Sequence, residues 1–149
     1  MGRLLVRGEI GHDIIPELYP LITENIIDKP GRSAFQHTDF KLLLDVAGIE
    51  NLIVCGATTD VCVTSTIRDA NDNALDCLLV SDATAAGRKE LHRAAISSIM
   101  EEGGIFGAVS TTRSILHAFG REMPDHLKMG PTNGSAINSK LQDITTAVT

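Results

Sequence analysis

Residues Leu52–Ala70, LIVCGATTDVCVTSTIRDA, constrain the fold of this chain more tightly than any other stretch. They open on a short apolar run, Leu52-Ile53-Val54-Cys55, rich in β-branched residues, the composition of a strand buried on both faces. Gly56-Ala57-Thr58-Thr59-Asp60 then turns the chain. Thr59 and Asp60 are N-cap residue types, and Val61, Ile67, Ala70 and Ala74 recur at roughly helical spacing. The segment therefore reads as strand, tight turn and helix, with Cys62 in the first helical turn. A thiol there meets the positive end of the helix dipole and free backbone N–H groups, both of which favour the thiolate. This is the pattern of a nucleophile elbow built around cysteine.

The flanking sequence continues the alternation. Asp13–Leu21 holds two prolines and reads as an irregular or one-turn segment. Asn25–Lys29 reads as a brief strand ended by Pro30-Gly31, and Ser33–Asp39 as a loop. Thr38 or Asp39 is placed to cap a helix over Phe40–Ala47, which stops at Gly48. Asn51–Cys55 and Asp76–Val80 read as strands, with a helix over Asp60–Asn73 between them and a polar loop, Ser81–Thr84, after the second. Arg88–Glu102 reads as a helix with Leu91, Ala94, Ala95, Ile99 and Met100 as its apolar positions, closed by Gly103-Gly104. A last strand over Ala108–Thr111 and a short helix over Arg113–Phe119 follow.

Strands alternating with helices of this length imply βαβ units: an α/β domain with an open parallel sheet covered by helices on both faces, a Rossmann-like three-layer arrangement. The domain is expected to span residues 1–119, with 120–149 a loose polar tail. Open parallel sheets bind ligands beyond the carboxyl ends of their strands. Lys29, the Gly56–Cys62 turn and the Ser81–Thr84 loop all follow predicted strands, so they are expected to converge on one edge.

Composition narrows the function classes. Aromatic residues make up only 3 % and Trp is absent, so the core must be built from Leu, Ile, Val and Ala. A net charge of −6 with no basic stripe argues against a nucleic-acid partner. No apolar run approaches the roughly 18 residues of a membrane span, so no membrane partner is expected. The three cysteines, Cys55, Cys62 and Cys77, include no CxxC pair, and the histidines are scattered. Reduced thiols in a cytoplasmic protein are the expected state, without a structural zinc site.

At this point the motifs carry a resemblance. GATTDVCVTSTIRDA resembles the cysteine motif of the isochorismatase-like cysteine hydrolases, and IIDKPGRSAFQHTDF (Ile26–Phe40) is similar to their lysine motif. The separation from Lys29 to Cys62, 62 − 29 = 33 residues, is similar to that of amidohydrolase members acting on ureido and carbamoyl substrates. The resemblance implies that Cys62 is the nucleophile, attacking the carbonyl carbon of a small amide, carbamoyl or ureido substrate to form a thioester. It places Lys29 beside the thiol, where a cation depresses a thiol pKa. It implies a cis peptide between Ala57 and Thr58 and an oxyanion hole formed by the N–H groups of Thr58 and Cys62. Phe35 and Thr38 match positions near the substrate pocket, with packing of the loop as the other role open to them. Thr59 is a turn or cap residue that also borders the pocket. No cofactor and no metal are implied, and family members commonly form oligomers, so a homo-oligomer is expected.

One part of the family pattern has no counterpart. The third catalytic residue is an aspartate at the end of a strand in a segment like LLVIDMQNDF, and nothing in the chain resembles it. Asp13, Asp28 and Asp60 are the nearest carboxylates, and none matches it. The chain is therefore expected to lack the N-terminal part of such a hydrolase. Two readings follow: a cysteine hydrolase of C–N bonds, or a catalytically silent relative acting as a binding or assembly subunit.

Overall fold

A computed structural model describes residues 5–123 and 144–148. The apolar run at residue 52 forms β1 (Asn51–Ala57), in which Leu52, Ile53 and Val54 are all buried. Side chains alternate along a strand, so burial of three in succession means that both faces of β1 are covered. Leu52 and Val54 enter the main core with Leu44, Val63, Ile67, Leu79 and Ile99. β1 pairs in parallel with β2 (Asp76–Ala85), which pairs in parallel with β3 (Ala108–Ser110). On its other side β1 pairs in parallel with β4 (Ile144–Val148), giving the order β3-β2-β1-β4. The expected α/β class with an open parallel sheet is what the chain adopts.

Helices connect the strands as the alternation requires. α1 (Phe40–Ala47) has the predicted bounds and ends at Gly48, whose φ of 66° is the left-handed value that glycine accepts without a Cβ penalty. β1 is followed by a single π-helical turn, Thr59–Val63, and then by α2 (Thr64–Asp72). α3 (Lys89–Gly104) joins β2 to β3, and its helical backbone is lost from Glu101, so the regular part ends near the predicted glycines. α4 (Thr112–Ala118) follows β3, and the Thr111 hydroxyl caps it by accepting from the Ser114 amide. In the early segment the expected one-turn element is a 3-10 turn at Pro16–Leu18.

Three expectations are corrected. Asn25–Lys29 is irregular rather than a strand: among the described residues no neighbouring strand takes up its ladder groups. The Ser81–Thr84 loop is part of β2. Val54 lies opposite Leu79 and Gly56 opposite Thr84, so β1 advances by 56 − 54 = 2 residues while β2 advances by 84 − 79 = 5. The polar residues lie in this bulge, after which the ladder resumes. Finally, Ile144–Val148, in the stretch read as a polar tail, is a strand; ITTAV is rich in β-branched residues, which suit a pleated surface.

The layers are locked together by a few specific contacts. Asn71 of α2 donates from its side-chain amide to the carbonyls of Ile67 and Phe106, at 3.0 and 3.1 Å. The Arg68 guanidinium lies 4.1 Å over the Phe106 ring and donates to the Ser98 hydroxyl at 3.1 Å, tying α2 to α3 and to the approach to β3. Gly107, the residue before β3, has φ +134°, and a Cβ there would stand 2.3 Å from the Cys77 carbonyl oxygen.

Candidate active site

β1 carries the chain to the edge where the site forms. Its last residue, Ala57, is joined to Thr58 by a cis peptide bond. The π turn begins immediately afterwards, and the Thr58 carbonyl accepts from the amides on either side of Cys62, from Val61 at 3.1 Å and Val63 at 3.2 Å. Val63 is fully buried and pins the turn to the core, whereas Cys62 is partly exposed and its thiol is free. The anchored positions thus bracket an accessible thiol.

Thr59 does not cap the helix with its side chain. It has no exposed surface, and its hydroxyl lies 2.9 Å from Nδ1 of His92 on α3. Asp60 lies in the first turn, where a carboxylate is favoured by the helix dipole.

The lysine motif reaches the same helix through its loop. The Ala34 amide donates to the Thr66 hydroxyl at 3.0 Å, and the Gln36 side-chain amide donates to Asp69 at 2.8 Å. Thr66 lies four residues after Cys62, so this docking brings the loop alongside the cysteine turn. Lys29 itself donates from its ammonium to the carbonyls of Gly31 and Arg32, at 3.0 and 2.8 Å, rather than to the thiol. Phe35 is buried, its ring centroid 5.0 Å from that of Phe40. Thr38 donates to the Ala34 carbonyl and accepts from the Phe40 amide at 3.2 Å, which satisfies the first N–H of α1.

A cavity of about 390 Å³ opens beside this loop, lined by Ile27, Asp28, His37, Thr38, Asp39 and Leu43 among others. Thr38 faces it; Cys62 does not. Its carboxylate Asp28 is already engaged by Arg7 at 2.7 Å and by His12 at 3.6 Å. Among the described residues, no group of three or more His, Cys, Asp or Glu could hold a metal ion. No helix among them is long and apolar enough to cross a membrane.

The other two thiols sit in different surroundings. Burial raises Cys55, and burial together with the neighbouring Asp76 pushes Cys77 from 9.0 up to about 12. Both remain protonated thiols near neutral pH.

Two residues at this site escape the motif reading: Thr66, which holds the loop, and His92, which holds the turn. His92 was legible in principle, since it shares the inward face of α3 with Ala95 and Ile99 at helical spacing.

The fold is an open parallel α/β sheet whose inner strand leads into the turn that carries Cys62, and comparison supplies the family. Residues 1–114 match the isochorismatase domain. The chain belongs to the isochorismatase family. It is 35 % identical over 124 residues to the ureidoacrylate amidohydrolase RutB of Azorhizobium caulinodans, covering 83 % of this chain and 53 % of that protein. It is 37 % identical over 119 residues to RutB of Acinetobacter baylyi, covering 79 % and 47 %. The chain thus spans about half the length of these relatives. The crystal structure of an isochorismatase-like hydrolase from Alkaliphilus metalliredigens superposes with a TM-score of 0.74 at 38 % identity, over 78 % of this chain and 62 % of that one. N-carbamoylsarcosine amidase from Thermoplasma acidophilum gives 0.66 at 25 % identity, over 74 % and 61 %.

Proposed function

We propose that this protein is a cysteine hydrolase that cleaves the C–N bond of a small amide, carbamoyl or ureido compound. The observation that carries the proposal is the accessible Cys62 thiol, held on a tight turn between the buried Thr59 and Val63. The likeness to amidohydrolases acting on ureidoacrylate and N-carbamoylsarcosine supports the choice of bond.

In this reading the Cys62 thiolate adds to the carbonyl carbon and the negative charge moves to the carbonyl oxygen. The backbone N–H groups of Thr58 and Cys62 receive that oxyanion, and one such donor is worth about 3 kcal/mol of the barrier. Collapse breaks the C–N bond, the nitrogen takes up the proton released when the Cys62 thiol ionised and leaves as ammonia or an amine, and Cys62 holds the acyl group as a thioester. Water then releases the acid and restores the thiol, so the net reaction consumes one water per bond cleaved. Lys29 supplies positive charge near the thiol once its ammonium exchanges a loop carbonyl for the reacting centre. Thr38 borders the substrate from the cavity side, while Phe35 and Thr59 shape the pocket from beneath it. A cytoplasmic setting and a homo-oligomer belong to the same proposal.

A second reading has one observation in its favour. The Lys29 ammonium is spent on Gly31 and Arg32, which suits a silent relative acting as a binding or assembly subunit. Ammonia release from a panel of ureides, carbamoyl compounds and amides separates the two. Release that disappears in Cys62→Ala and falls at least about 100-fold in Lys29→Ala supports the hydrolase. Release that survives Cys62→Ala rules out the cysteine mechanism, and a wild-type chain inert to the whole panel favours the silent subunit.

A further inference from the structure

We propose that His92 is a positioning residue: through the Thr59 hydroxyl it sets the turn that presents Cys62. The proposal rests on the hydrolase reading for its functional meaning, but its geometry stands apart from the identity of any substrate.

Thr59 is the first residue of the π turn and has no exposed surface, so water cannot serve its hydroxyl. The partner is Nδ1 of His92, 2.9 Å away, on a different element of the fold. A hydroxyl needs an acceptor for its proton, and an Nδ1 carrying hydrogen offers none. With the ring proton on Nε2, the Thr59 hydroxyl donates to Nδ1. The Thr59 carbonyl is also engaged, accepting from the Thr64 amide at the start of α2. Thr59 is thereby fixed through its backbone to α2 and through its side chain to α3.

The anchor on α3 is itself rigid. Ala95 and Ile99 follow His92 at helical spacing, and both are buried. The start of the turn is thus tied to α3 through one imidazole, while Val63 holds its other end in the core. Thr58 immediately precedes Thr59 and Cys62 follows it by three residues, so a displaced Thr59 moves both proposed oxyanion donors and the nucleophile together. Small misplacements of a reacting group can lower a rate about 100-fold, far from the chemistry itself.

The test compares His92→Leu, His92→Asn and His92→Gln in the full chain. Asn places an acceptor near the position of Nδ1, Gln near that of Nε2, and Leu supplies none. Hydrogen–deuterium exchange at the amides of Thr58–Val63 needs no substrate. It is expected to quicken at least about tenfold in His92→Leu and His92→Gln and to stay near wild type in His92→Asn. With an active substrate, kcat is expected to follow the same order while KM changes little. Thr59→Val combined with His92→Leu is expected to be no worse than either alone, because both remove the same bond. Wild-type exchange in both His92→Leu and His92→Gln, or equal loss in His92→Asn and His92→Gln, overturns the proposal. Should His92→Leu fail to fold, the Asn–Gln comparison still decides. A chain without hydrolase activity that shows the predicted exchange pattern refutes the catalytic reading and leaves the positioning role standing.

Discussion

Replacing Thr66 with valine tests the idea that one buried hydrogen bond docks the lysine loop on the cysteine helix. Thr66 is fully buried and its hydroxyl accepts from the amide of the buried Ala34 at 3.0 Å. Valine has nearly the same shape, so the core stays filled while the acceptor vanishes and the Ala34 N–H is left without a partner. An orphaned buried donor costs about 1–3 kcal/mol, so the variant is expected to lose about 2 kcal/mol. For a domain of this size that is a fall of roughly 4–8 °C in melting midpoint. Thr66→Ser is the control: it keeps the acceptor and removes one buried methyl, which costs about 1 kcal/mol. Urea denaturation with an unchanged m-value gives the stability difference, and hydrogen exchange at the Ala34 amide reports the bond directly. Valine is expected to be the more damaging substitution, with Ala34 losing protection only there. If Thr66→Val is milder than Thr66→Ser, or if Ala34 stays protected in it, the bond does not dock the loop.

Two further predictions concern stability. Cys77 has a folded-state pKa raised from 9.0 to about 12. Its contribution is therefore fully present below the unfolded value and declines as pH rises from 9 towards 12, by about 1.4 kcal/mol per unit. The stability gap between wild type and Cys77→Ala should narrow between pH 8 and pH 10.5, and parallel pH curves would contradict this. Leu79 has no exposed surface, so Leu79→Ala is expected to lose about 3–4 kcal/mol. Val46 is 81 % exposed, and Val46→Ala should stay within about 0.5 kcal/mol of wild type; equal effects at the two sites in a chemical melt would refute the assignment of the core.

What was legible in the sequence was local. The bounds of α1 follow from an apolar face and a terminal glycine, signals contained within ten residues. β1 announced itself through Leu52-Ile53-Val54, because a strand covered on both faces needs an unbroken apolar run. The less legible parts depend on partners far along the chain. Ser81-Asp82 reads as loop because it is polar, yet the ladder resumes beyond it at Thr84, opposite Gly56. Asn25–Lys29 has strand composition but no strand beside it among the described residues, and composition cannot report a missing neighbour. At the site, the motif spacing brought the Lys29 loop and the Cys62 turn onto one helix, through contacts at Thr66 and Asp69. The direction of the Lys29 ammonium was not legible, since it is decided by two carbonyls of the loop that follows it.

Gly107 has a consequence for how this gene can drift. Every single-base change that replaces glycine without stopping translation yields a residue with a Cβ. At position 107 any Cβ would stand 2.3 Å from the Cys77 carbonyl oxygen, against backbone that no side-chain rotation can move away. The position therefore has no neutral amino-acid replacement within one base change. While the residues around it exchange one aliphatic for another, lineages that keep this fold should hold glycine there, and a reverting mutation should be the commonest rescue of any line that loses it.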